Sequence, residues 1–273
     1  MSFLELEGKV VLVAGVANKR SVAYRVGRQL EAQGARVVYS VRNEARRQSV
    51  SQLLPGREVH VCDLEDDAQI ARLAQAVGAK HDSVHGLVHS VAFANYESFD
   101  GVFHHVSRAD FLQCVSVSCY SLIALANAFA ERLDRRGSVV TISISTSRMA
   151  VESYGYMAPA KAALDSSLVF LAKSFSRFSQ VRFNAVGAGL LKTSASAGIP
   201  GYIDHYMYAE QLTLRKQALL TEEVADVAVF LLSERAGGIN GQQLVVDAGM
   251  GANFFDEQVV RHALKGLWPT EST

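Results

Sequence analysis

The chain has 273 residues, of which 49% are hydrophobic and 20% charged, and its 27 Lys and Arg balance its 27 Asp and Glu. A chain of this length and apolar content can bury a sizeable core without disulfides, in one large α/β domain or in two smaller ones. The zero net charge gives no basic bias toward nucleic acid or an anionic membrane surface. The composition therefore argues against both kinds of partner.

The N-terminus and the apolar runs predict a cytoplasmic protein. MSFLELEGK lacks the basic region and the apolar stretch of a signal peptide. The longest apolar runs fall well short of the roughly 18 residues that suggest a membrane span. Cys62, Cys114 and Cys119 are odd in number and lack metal-ligand spacing, so we expect reduced core thiols and no metal site.

Short β-rich apolar runs alternate along the chain with longer segments of helical periodicity. The runs are KVVLVAG, ARVVYS, EVHVC, GLVHSVA, SVVTISIS, VRFNAVG and QQLVVDAG, and the helical segments include 21–33, 66–78, 107–133, 159–178 and 221–233. Continuous apolar strands between helices indicate a parallel sheet that is covered on both faces. No linker or shift in composition divides the chain. We therefore predict a single Rossmann-like, doubly wound α/β domain over 1–273, with a seven-stranded parallel sheet and ligands at the carboxyl ends of its strands.

The first predicted turn, in VVLVAGVANKRSVAYRVG, leads from a strand into a helix. Gly15 ends the strand, and Ser21 is suitably placed to cap the helix. A helix N-terminus presents free N–H groups and a positive dipole, which suit a pyrophosphate, and the small Ser21 and Ala23 allow close backbone approach. Because the loop is not G-x-G-x-x-G, the residues alone leave open a dinucleotide site and an ordinary strand-to-helix turn.

The ends of the second and third strands bear on the choice of cofactor. The second strand ends with Ser40 and Arg42. NAD-binding sheets place an acidic residue there for the ribose 2′-hydroxyl, whereas an Arg accommodates a 2′-phosphate. Arg42 therefore favours NADPH, with a solvated basic helix start as the alternative. After the third strand, Asp63 is a candidate to contact the edge of the adenine ring. An equally good interpretation of this acidic segment is that Asp66 or Asp67 caps the following helix.

Three segments resemble the short-chain dehydrogenase/reductase superfamily and, more narrowly, its divergent branch of bacterial NAD(P)H-dependent enoyl-acyl carrier protein reductases (type I). GVANKRSVA (15–23) resembles the phosphate loop of that branch, HSVAFAN (89–95) resembles the segment beneath the nicotinamide ribose, and FNAVGAG…KTSASAGI (183–199) resembles the exit of strand six and the substrate loop. The resemblance covers about residues 5–250. It implies reduction of the trans-2 double bond of an enoyl thioester in fatty-acid synthesis, on acyl carrier protein or coenzyme A, by a cytoplasmic homotetramer.

The same resemblance selects the catalytic tyrosine in SYGYMAPAK (153–161). Ordinary members of the superfamily use Tyr-x3-Lys, which would require a tyrosine in place of Met157. The divergent branch uses Tyr-x6-Lys, which pairs Tyr154 with Lys161.

The seven-residue spacing of this pair is close to two helical turns of about 3.6 residues, so both side chains can face one side. Tyr156 would point roughly 140° away and is expected to serve packing. Pro159 suits a first helical turn and breaks an interior one. We therefore expect the helix to begin near Ala158, with Tyr154 on the preceding loop.

The resemblance implies specific roles for the site residues. Tyr154 would hydrogen-bond the thioester oxygen of the enolate, Lys161 would bind the nicotinamide ribose, and residues 193–208 would cover the acyl chain. The cofactor would be NADPH, with NADH possible. The implied cofactor-binding residues are Gly15, Ala17, Ser21, Val22, Arg42, Asp63, Leu64, Ser90, Val91, Ala92, Lys161 and Thr193, and the implied substrate-binding residues are Phe93, Ala94, Ile144, Tyr154 and Ala195.

Two positions depart from the pattern of the family. Ile144 stands where the family usually carries an aromatic residue, ten positions before the catalytic tyrosine, so Ser143 or Ser145 would have to supply any hydrogen bond there. Leu190 replaces the proline of the AGP turn. These departures leave two alternatives open, a carbonyl reductase on the same scaffold and a catalytically silent dinucleotide-binding regulator.

Two further segments fall outside the regular alternation, a substrate loop at about 189–220 and a C-terminal extension at about 251–273. The loop contains YIDHYMY, which is either an apolar cover or core, and it has no basic residue between Lys192 and Arg215 to meet an acidic carrier protein. In the extension, apolar residues at helical spacing predict a helix packed either on its own domain or across a subunit boundary. These residues are Val259, Val260, Ala263, Leu264 and Leu267.

Overall fold

In the computed structural model, which describes residues 3–97, 99–152 and 154–265, seven parallel strands form one sheet. The strands are β1 (Val10–Ala14), β2 (Arg36–Val41), β3 (Glu58–Val61), β4 (Val84–His89), β5 (Leu133–Ile144), β6 (Arg182–Ala188) and β7 (Gln243–Val246). Their order across the sheet is β3-β2-β1-β4-β5-β6-β7. The seven-stranded parallel sheet predicted from the apolar runs is confirmed.

Helices connect these strands and cover the sheet. They are α1 (Val22–Ala32), α2 (Glu44–Leu53), α3 (Asp67–Gly78), α4 (Arg108–Val115), α5 (Ser121–Ala128), α6 (Met157–Phe175), α7 (Tyr202–Leu212), α8 (Thr221–Leu232) and α9 (Glu257–Ala263). A π-helical turn, Ser116–Tyr120, joins α4 to α5, and short 3₁₀ turns lie at Phe103–His105, Ser196–Gly198, Glu234–Ala236 and Met250–Ala252. The helix predicted over 107–133 ends earlier, at Ala128, because the chain re-enters the sheet at Leu133.

The core lies on both faces of the sheet, as β1 illustrates. Val11 and Val13 pack with α1 and α8 on one face, whereas Leu12 and Ala14 pack with α3, α5 and α6 on the other. All five residues of β1 are buried. A strand that is covered on both faces needs apolar residues at every position, which explains the uninterrupted run KVVLVAG.

The direction of the strand order reverses between β1 and β4. In open parallel sheets such a reversal leaves a crevice outside the carboxyl ends of the strands, where ligands bind. The loops that follow β1 and β4 begin at Gly15 and Ser90, so the predicted phosphate and nicotinamide segments meet at this crevice.

One helical stretch of the described chain, Arg108–Ala128, is long and apolar enough to cross a membrane by length and composition alone, with a mean hydropathy of 1.5. Leu122, Leu125 and Ala126 within it are fully buried against the sheet, in the cluster that contains Leu12. Part of its apolar content is thus used in the core of the domain, while Leu112 and Tyr120 are exposed.

The C-terminal extension carries the predicted helix as α9, which has no buried residue. Val259 and Val260 are half-buried, whereas Phe254 and Phe255 just before it are 88% and 76% exposed. Leu267 lies outside the described residues. The helix is confirmed, and its packing across a subunit boundary stays a prediction.

Candidate active site

The exits of β1, β2 and β4 converge on Gly15. The Gly15 N–H donates to Ser40 O at 3.2 Å, and the Ser90 N–H donates to Ala14 O at 3.1 Å. Gly15 has φ +99°, and a Cβ placed there would lie 2.1 Å from Ser90 O. An L-residue is strained at this φ and has no room, so glycine is required for the two strand exits to approach each other.

The loop that follows is organised around Ser21, the N-cap of α1. The Ser21 hydroxyl donates to Asn18 O at 2.7 Å and accepts at 3.4 Å from the N–H groups of Ala17 and Tyr24. The predicted capping role is confirmed. The first-turn N–H groups that begin at Val22 have no acceptor within the helix, so they are available to an anion such as a pyrophosphate.

Arg42, which directly follows β2, lies against two carboxylates in the loop that follows β3. Its Nε donates to Asp63 Oδ2 and its Nη2 to Glu65 Oε2, both at 3.2 Å, and its guanidinium lies 5.4 Å from the centroid of the Phe93 ring. The structure thus brings two predicted cofactor-binding residues, Arg42 and Asp63, into contact. It adds Glu65, which sequence reasoning missed. The Phe93 ring lies under the Arg42 guanidinium, and its predicted contact with substrate stays a prediction.

The segment after β4 is held by the π-helical turn between α4 and α5. The Ser118 hydroxyl accepts from the Phe93 N–H at 3.0 Å and donates to Phe93 O at 3.1 Å. Asn95 is fixed by donating to Asp110 Oδ1 at 3.0 Å. π-helical turns are frequent at functional sites. The sequence analysis did not identify Ser118. Its only signal there is a serine within an apolar helical stretch, and its burial is known only from the structure.

Lys161 is 3% exposed and faces the same segment. Its ammonium donates to Val91 O at 3.1 Å and to Ile142 O at 2.8 Å. An ammonium has three donors, so one is left for a ligand hydroxyl. Burial disfavours the charged form and lowers the pKa of Lys161 to about 8, with Asp165 opposing that shift.

Tyr154 lies on the loop before α6, which begins at Met157 with Tyr156 as its N-cap. The predicted position of the helix start is confirmed within one residue. The backbone carbonyl of Tyr154 accepts from the Tyr96 hydroxyl at 3.1 Å. Burial, Tyr202 and Cys114 raise the pKa of the Tyr154 hydroxyl, so it stays protonated at neutral pH. It is therefore a hydrogen-bond donor rather than an anion.

Tyr156 is a packing residue. It is 1% exposed, its hydroxyl donates to Asn95 O, and its ring lies about parallel to that of Tyr96, with a centroid distance of 6.1 Å and an interplanar angle of 23°. Phe99 meets it edge-on at 6.0 Å. A tyrosine enclosed by aromatic rings with its hydroxyl already bonded to a carbonyl has no donor to offer a substrate.

The substrate loop is tied together by Tyr202 and Ser196. The Tyr202 hydroxyl accepts from the Leu191 N–H at 2.9 Å and donates to Leu191 O at 2.8 Å. Ser196 Oγ accepts from the Thr193 N–H at 2.9 Å. Lys192 Nζ lies 4.9 Å from the centroid of the Tyr206 ring. Two tyrosines of YIDHYMY therefore organise the loop, while its other apolar residues are exposed, namely Ile203, Met207 and Tyr208.

The remaining predicted residues divide into buried and exposed positions. Leu64 is buried in the core, and Ala94 is half-buried against the Tyr156 cluster. Ala92 and Ala195 are exposed, and Ile144 is half-buried at the end of β5. Their roles stay predictions.

His89, at the end of β4, is fully buried and bonded on both ring nitrogens. Nδ1 lies 2.8 Å from Thr141 Oγ1 and Nε2 lies 2.8 Å from Ser121 Oγ. Burial and Lys161 lower the pKa of His89 to about 3, so the ring is neutral. In the described parts of the chain no three His, Cys, Asp or Glu side chains are placed to hold a metal ion.

Comparison with known proteins identifies the family. The family model described as enoyl-(acyl carrier protein) reductase matches residues 15–251. The chain is 32% identical over 249 residues to enoyl-[acyl-carrier-protein] reductase [NADH] FabI of Bacillus subtilis, covering 89% of this chain and 96% of that relative. It is 31% identical over 254 residues to the [NADPH] FabI of Staphylococcus aureus, covering 91% and 99%.

Solved structures agree with the sequence matches. The crystal structure of enoyl-[acyl-carrier-protein] reductase (NADH) from Aquifex aeolicus superposes with a TM-score of 0.88 at 32% identity, over 92% of this chain and 99% of that chain. The chain belongs to the enoyl-(acyl carrier protein) reductase family.

Proposed function

We propose that this chain is an NAD(P)H-dependent enoyl-acyl carrier protein reductase of fatty-acid synthesis, which reduces the trans-2 double bond of an enoyl thioester. The observation that carries this proposal is the pairing of Tyr154 with Lys161. In support, Tyr154 packs against the cluster that contains Cys114 and Ala160, and Ala160 directly precedes Lys161 on α6. One is a neutral phenol and the other a buried cation with a free donor.

The crevice fits a reduced nicotinamide dinucleotide. Gly15 lets the β1 and β4 exits approach each other, and the Ser21-capped helix offers free N–H groups to a pyrophosphate. Lys161 has a donor left for the ribose hydroxyls. When bound, this cofactor supplies the hydride that is added to the β-carbon of the enoyl thioester.

The residues of the chain then act on the oxygen of the thioester. Negative charge develops there as the enolate forms, and the Tyr154 hydroxyl donates a hydrogen bond to it. Lys161 places a positive charge beside that oxygen and holds the cofactor ribose. Residues 193–208, organised by Tyr202, cover the acyl chain and exclude water.

The direct test is oxidation of NADPH or NADH by the purified protein with a trans-2-enoyl-acyl carrier protein. We expect rapid, enoyl-dependent loss of absorbance by the reduced nicotinamide, and slower turnover when the acyl group is carried by coenzyme A. A β-ketoacyl thioester is the matched control, since the alternative carbonyl reductase would consume it. Turnover of the β-ketoacyl substrate without turnover of the enoyl substrate would overturn the proposal.

We also propose that NADPH is preferred over NADH. Arg42 holds its guanidinium at the end of β2, where the adenosine ribose of a dinucleotide lies in this fold. Its side chain is 52% exposed, and its hydrogen bonds to Asp63 and Glu65 are long, at 3.2 Å. A dianionic 2′-phosphate can therefore compete for the guanidinium, whereas a 2′-hydroxyl offers it no charge.

The prediction for this preference is that Arg42→Ala lowers kcat/KM for NADPH by about tenfold or more and changes kcat/KM for NADH little. A hydrogen bond to a charged group contributes about 1.5–3 kcal/mol, and the 2′-phosphate is present in one cofactor only. Steady-state kinetics with both cofactors measures the difference. Arg36→Ala, at the opposite end of the same strand, is the matched control. Equal losses with both cofactors would remove Arg42 from the 2′-phosphate site.

The homotetramer and the cytoplasmic location stay predictions. In support of self-association, α6 carries Val169 and Phe170 exposed on its outer surface. Large apolar side chains in such a place are typical of a surface that another subunit covers.

A further inference from the structure

The C-terminal extension is joined to the end of α7, the helix of the predicted substrate loop. Lys216, in the turn after α7, forms an ion pair with Asp256, the N-cap of α9. Asn253 Nδ2 donates to Leu212 O at 2.8 Å. We call these two links, Lys216–Asp256 and Asn253–Leu212, the clasp. Asn253 and Asp256 lie beyond residue 251, where the match to the family model ends, so the clasp uses residues outside the matched part of the chain.

The clasp supplies donors to the last carbonyl groups of α7, which have no partners within the helix. Lys216 Nζ donates to Gln211 O at 2.6 Å, and Asn253 Nδ2 donates to Leu212 O. The positive charge of Lys216 also interacts favourably with the dipole at this end of the helix. The end of α7 is therefore capped by one side chain of the extension and by a lysine that the extension holds.

The ion pair of the clasp has more support than an ordinary surface pair, which contributes little. The side chains of Lys216 and Asp256 are only 36% and 13% exposed. Asp256 Oδ1 also accepts from the N–H groups of Gln258 at 3.1 Å and Val259 at 3.2 Å. The hydrogen bond from Lys216 lowers the pKa of the Asp256 carboxyl to about 2, so the carboxylate is charged at neutral pH. Because α9 contributes no buried side chain, these polar contacts join it to α7 without a fully buried apolar contact.

The backbone is in an uncommon conformation on both sides of this junction. Lys216 has φ +57°, and Ala248, which follows β7, has φ +53°. Residues other than glycine adopt this region at a cost, and they remain there only where surrounding contacts hold them. The Leu214 N–H donates to Ala248 O at 3.0 Å, and the ion pair with Asp256 is a second contact that holds the turn. The position of the end of α7 therefore depends on contacts from outside the helix.

We propose that Asp256 and Asn253 are positioning residues that hold the end of α7, so that the substrate loop stays closed over the acyl chain. This inference rests on the proposed role of residues 193–208 as the acyl cover, and it deepens that role by assigning a task to the C-terminal extension. The start of α7 is already fixed by Tyr202, whose hydroxyl bonds to both backbone groups of Leu191. The clasp fixes the other end. Asp256 and Asn253 act through α7 and not by contact with the substrate.

The direct test is hydrogen–deuterium exchange of the α7 amides in the protein without cofactor or substrate. Asp256→Asn removes the charge but keeps an N-cap acceptor for α9. We expect the α7 amides to exchange about three- to tenfold faster, because opening this end of the helix no longer breaks the ion pair. Glu257→Gln removes the neighbouring carboxylate of α9, whose side chain is 79% exposed. It is the matched control and should leave α7 exchange unchanged.

A double-variant cycle tests whether Asp256 acts through Lys216. Lys216→Met should speed α7 exchange at least as much as Asp256→Asn does, since it also removes the donor to Gln211 O. In the Lys216→Met background, Asp256→Asn should have no further effect. Lys216→Arg keeps the charge and should stay close to the wild type.

Kinetics connect the position of α7 with substrate binding. A cover that is released at one end holds the acyl chain more weakly, while the cofactor site is unchanged. Asp256→Asn should therefore raise KM for a trans-2-enoyl-acyl carrier protein about three- to tenfold and leave KM for the reduced nicotinamide cofactor unchanged. A general structural defect would change both KM values.

Each outcome bears on the proposal. Faster α7 exchange in Asp256→Asn but not in Glu257→Gln, together with the divided effect on KM, supports it. Unchanged α7 exchange in folded Asp256→Asn overturns it, as does faster exchange with an unchanged KM for the enoyl substrate. Because the exchange measurement needs neither cofactor nor substrate, a wild type that fails to reduce enoyl thioesters would refute the proposed function and leave the exchange result standing.

Discussion

Tyr154→Phe is expected to lower kcat for enoyl-thioester reduction by about 10²–10³-fold, the usual effect of removing one donor to a developing oxyanion. The hydroxyl is neutral, because burial raises its pKa, and it lies on a loop whose position is set through the backbone carbonyl that accepts from Tyr96. Removing the hydroxyl leaves that contact and the α6 start unchanged. The variant should therefore fold normally and bind NAD(P)H with wild-type affinity.

Tyr156→Phe is the matched control, since it removes the same atom from the neighbouring tyrosine. The Tyr156 hydroxyl donates to Asn95 O in a closed aromatic cluster. Its loss should lower the free energy of unfolding by about 1 kcal/mol and change kcat only a few-fold. Urea unfolding and single-turnover kinetics on both variants separate the two effects. Loss of the chemical step in Tyr156→Phe but not in Tyr154→Phe would reverse the assignment of the catalytic tyrosine.

The fold was predictable because its signals are local. The apolar runs predicted the strands, and β1 shows why, since all five of its residues are buried between two layers of helices. The strand β5 begins five residues before its apolar run, at Leu133, and its first five residues, LDRRG, carry no such signal. The start of α6 was predictable from Pro159, which fits a first turn. The end of α5 was not, because the apolar pattern continues to Leu133 and only the sheet decides where the helix stops.

The candidate site was predictable where a motif preserves its spacing, and not where partners are distant in the chain. Gly15, Ser21 and the Tyr154–Lys161 pair lie in short motifs. Ser118 is 25 residues from Phe93, and Lys161 is 70 residues from Val91. Such contacts depend on how strands and helices are placed in three dimensions. The spacing of residues in the sequence therefore does not predict these contacts.

The crevice itself should depend on one glycine, and Gly15→Ala is expected to lower the free energy of unfolding by about 2–5 kcal/mol. A positive φ costs an L-residue about 1–2 kcal/mol, and forcing an atom into a packed site adds about 1–3 kcal/mol. The added Cβ would lie 2.1 Å from Ser90 O, which is a backbone atom. Because the direction of a Cβ is fixed by its own backbone, the clash can be relieved only by separating β1 from β4. Most natural domains have only about 5–15 kcal/mol of stability in total.

Gly56→Ala provides the control that isolates this approach of the strand exits. Gly56 has φ +73°, and a Cβ there meets nothing within 4 Å, so its variant should lose only about 1–2 kcal/mol of stability. Urea denaturation gives both values, and NAD(P)H fluorescence gives cofactor affinity for the folded fraction. Gly15→Ala should also weaken cofactor binding, because separating β1 from β4 moves the loop after β1 away from the proposed pyrophosphate site. Gly56→Ala should leave cofactor affinity unchanged. Equal stability losses in the two variants would mean that positive φ alone, and not the meeting of β1 with β4, requires glycine at position 15.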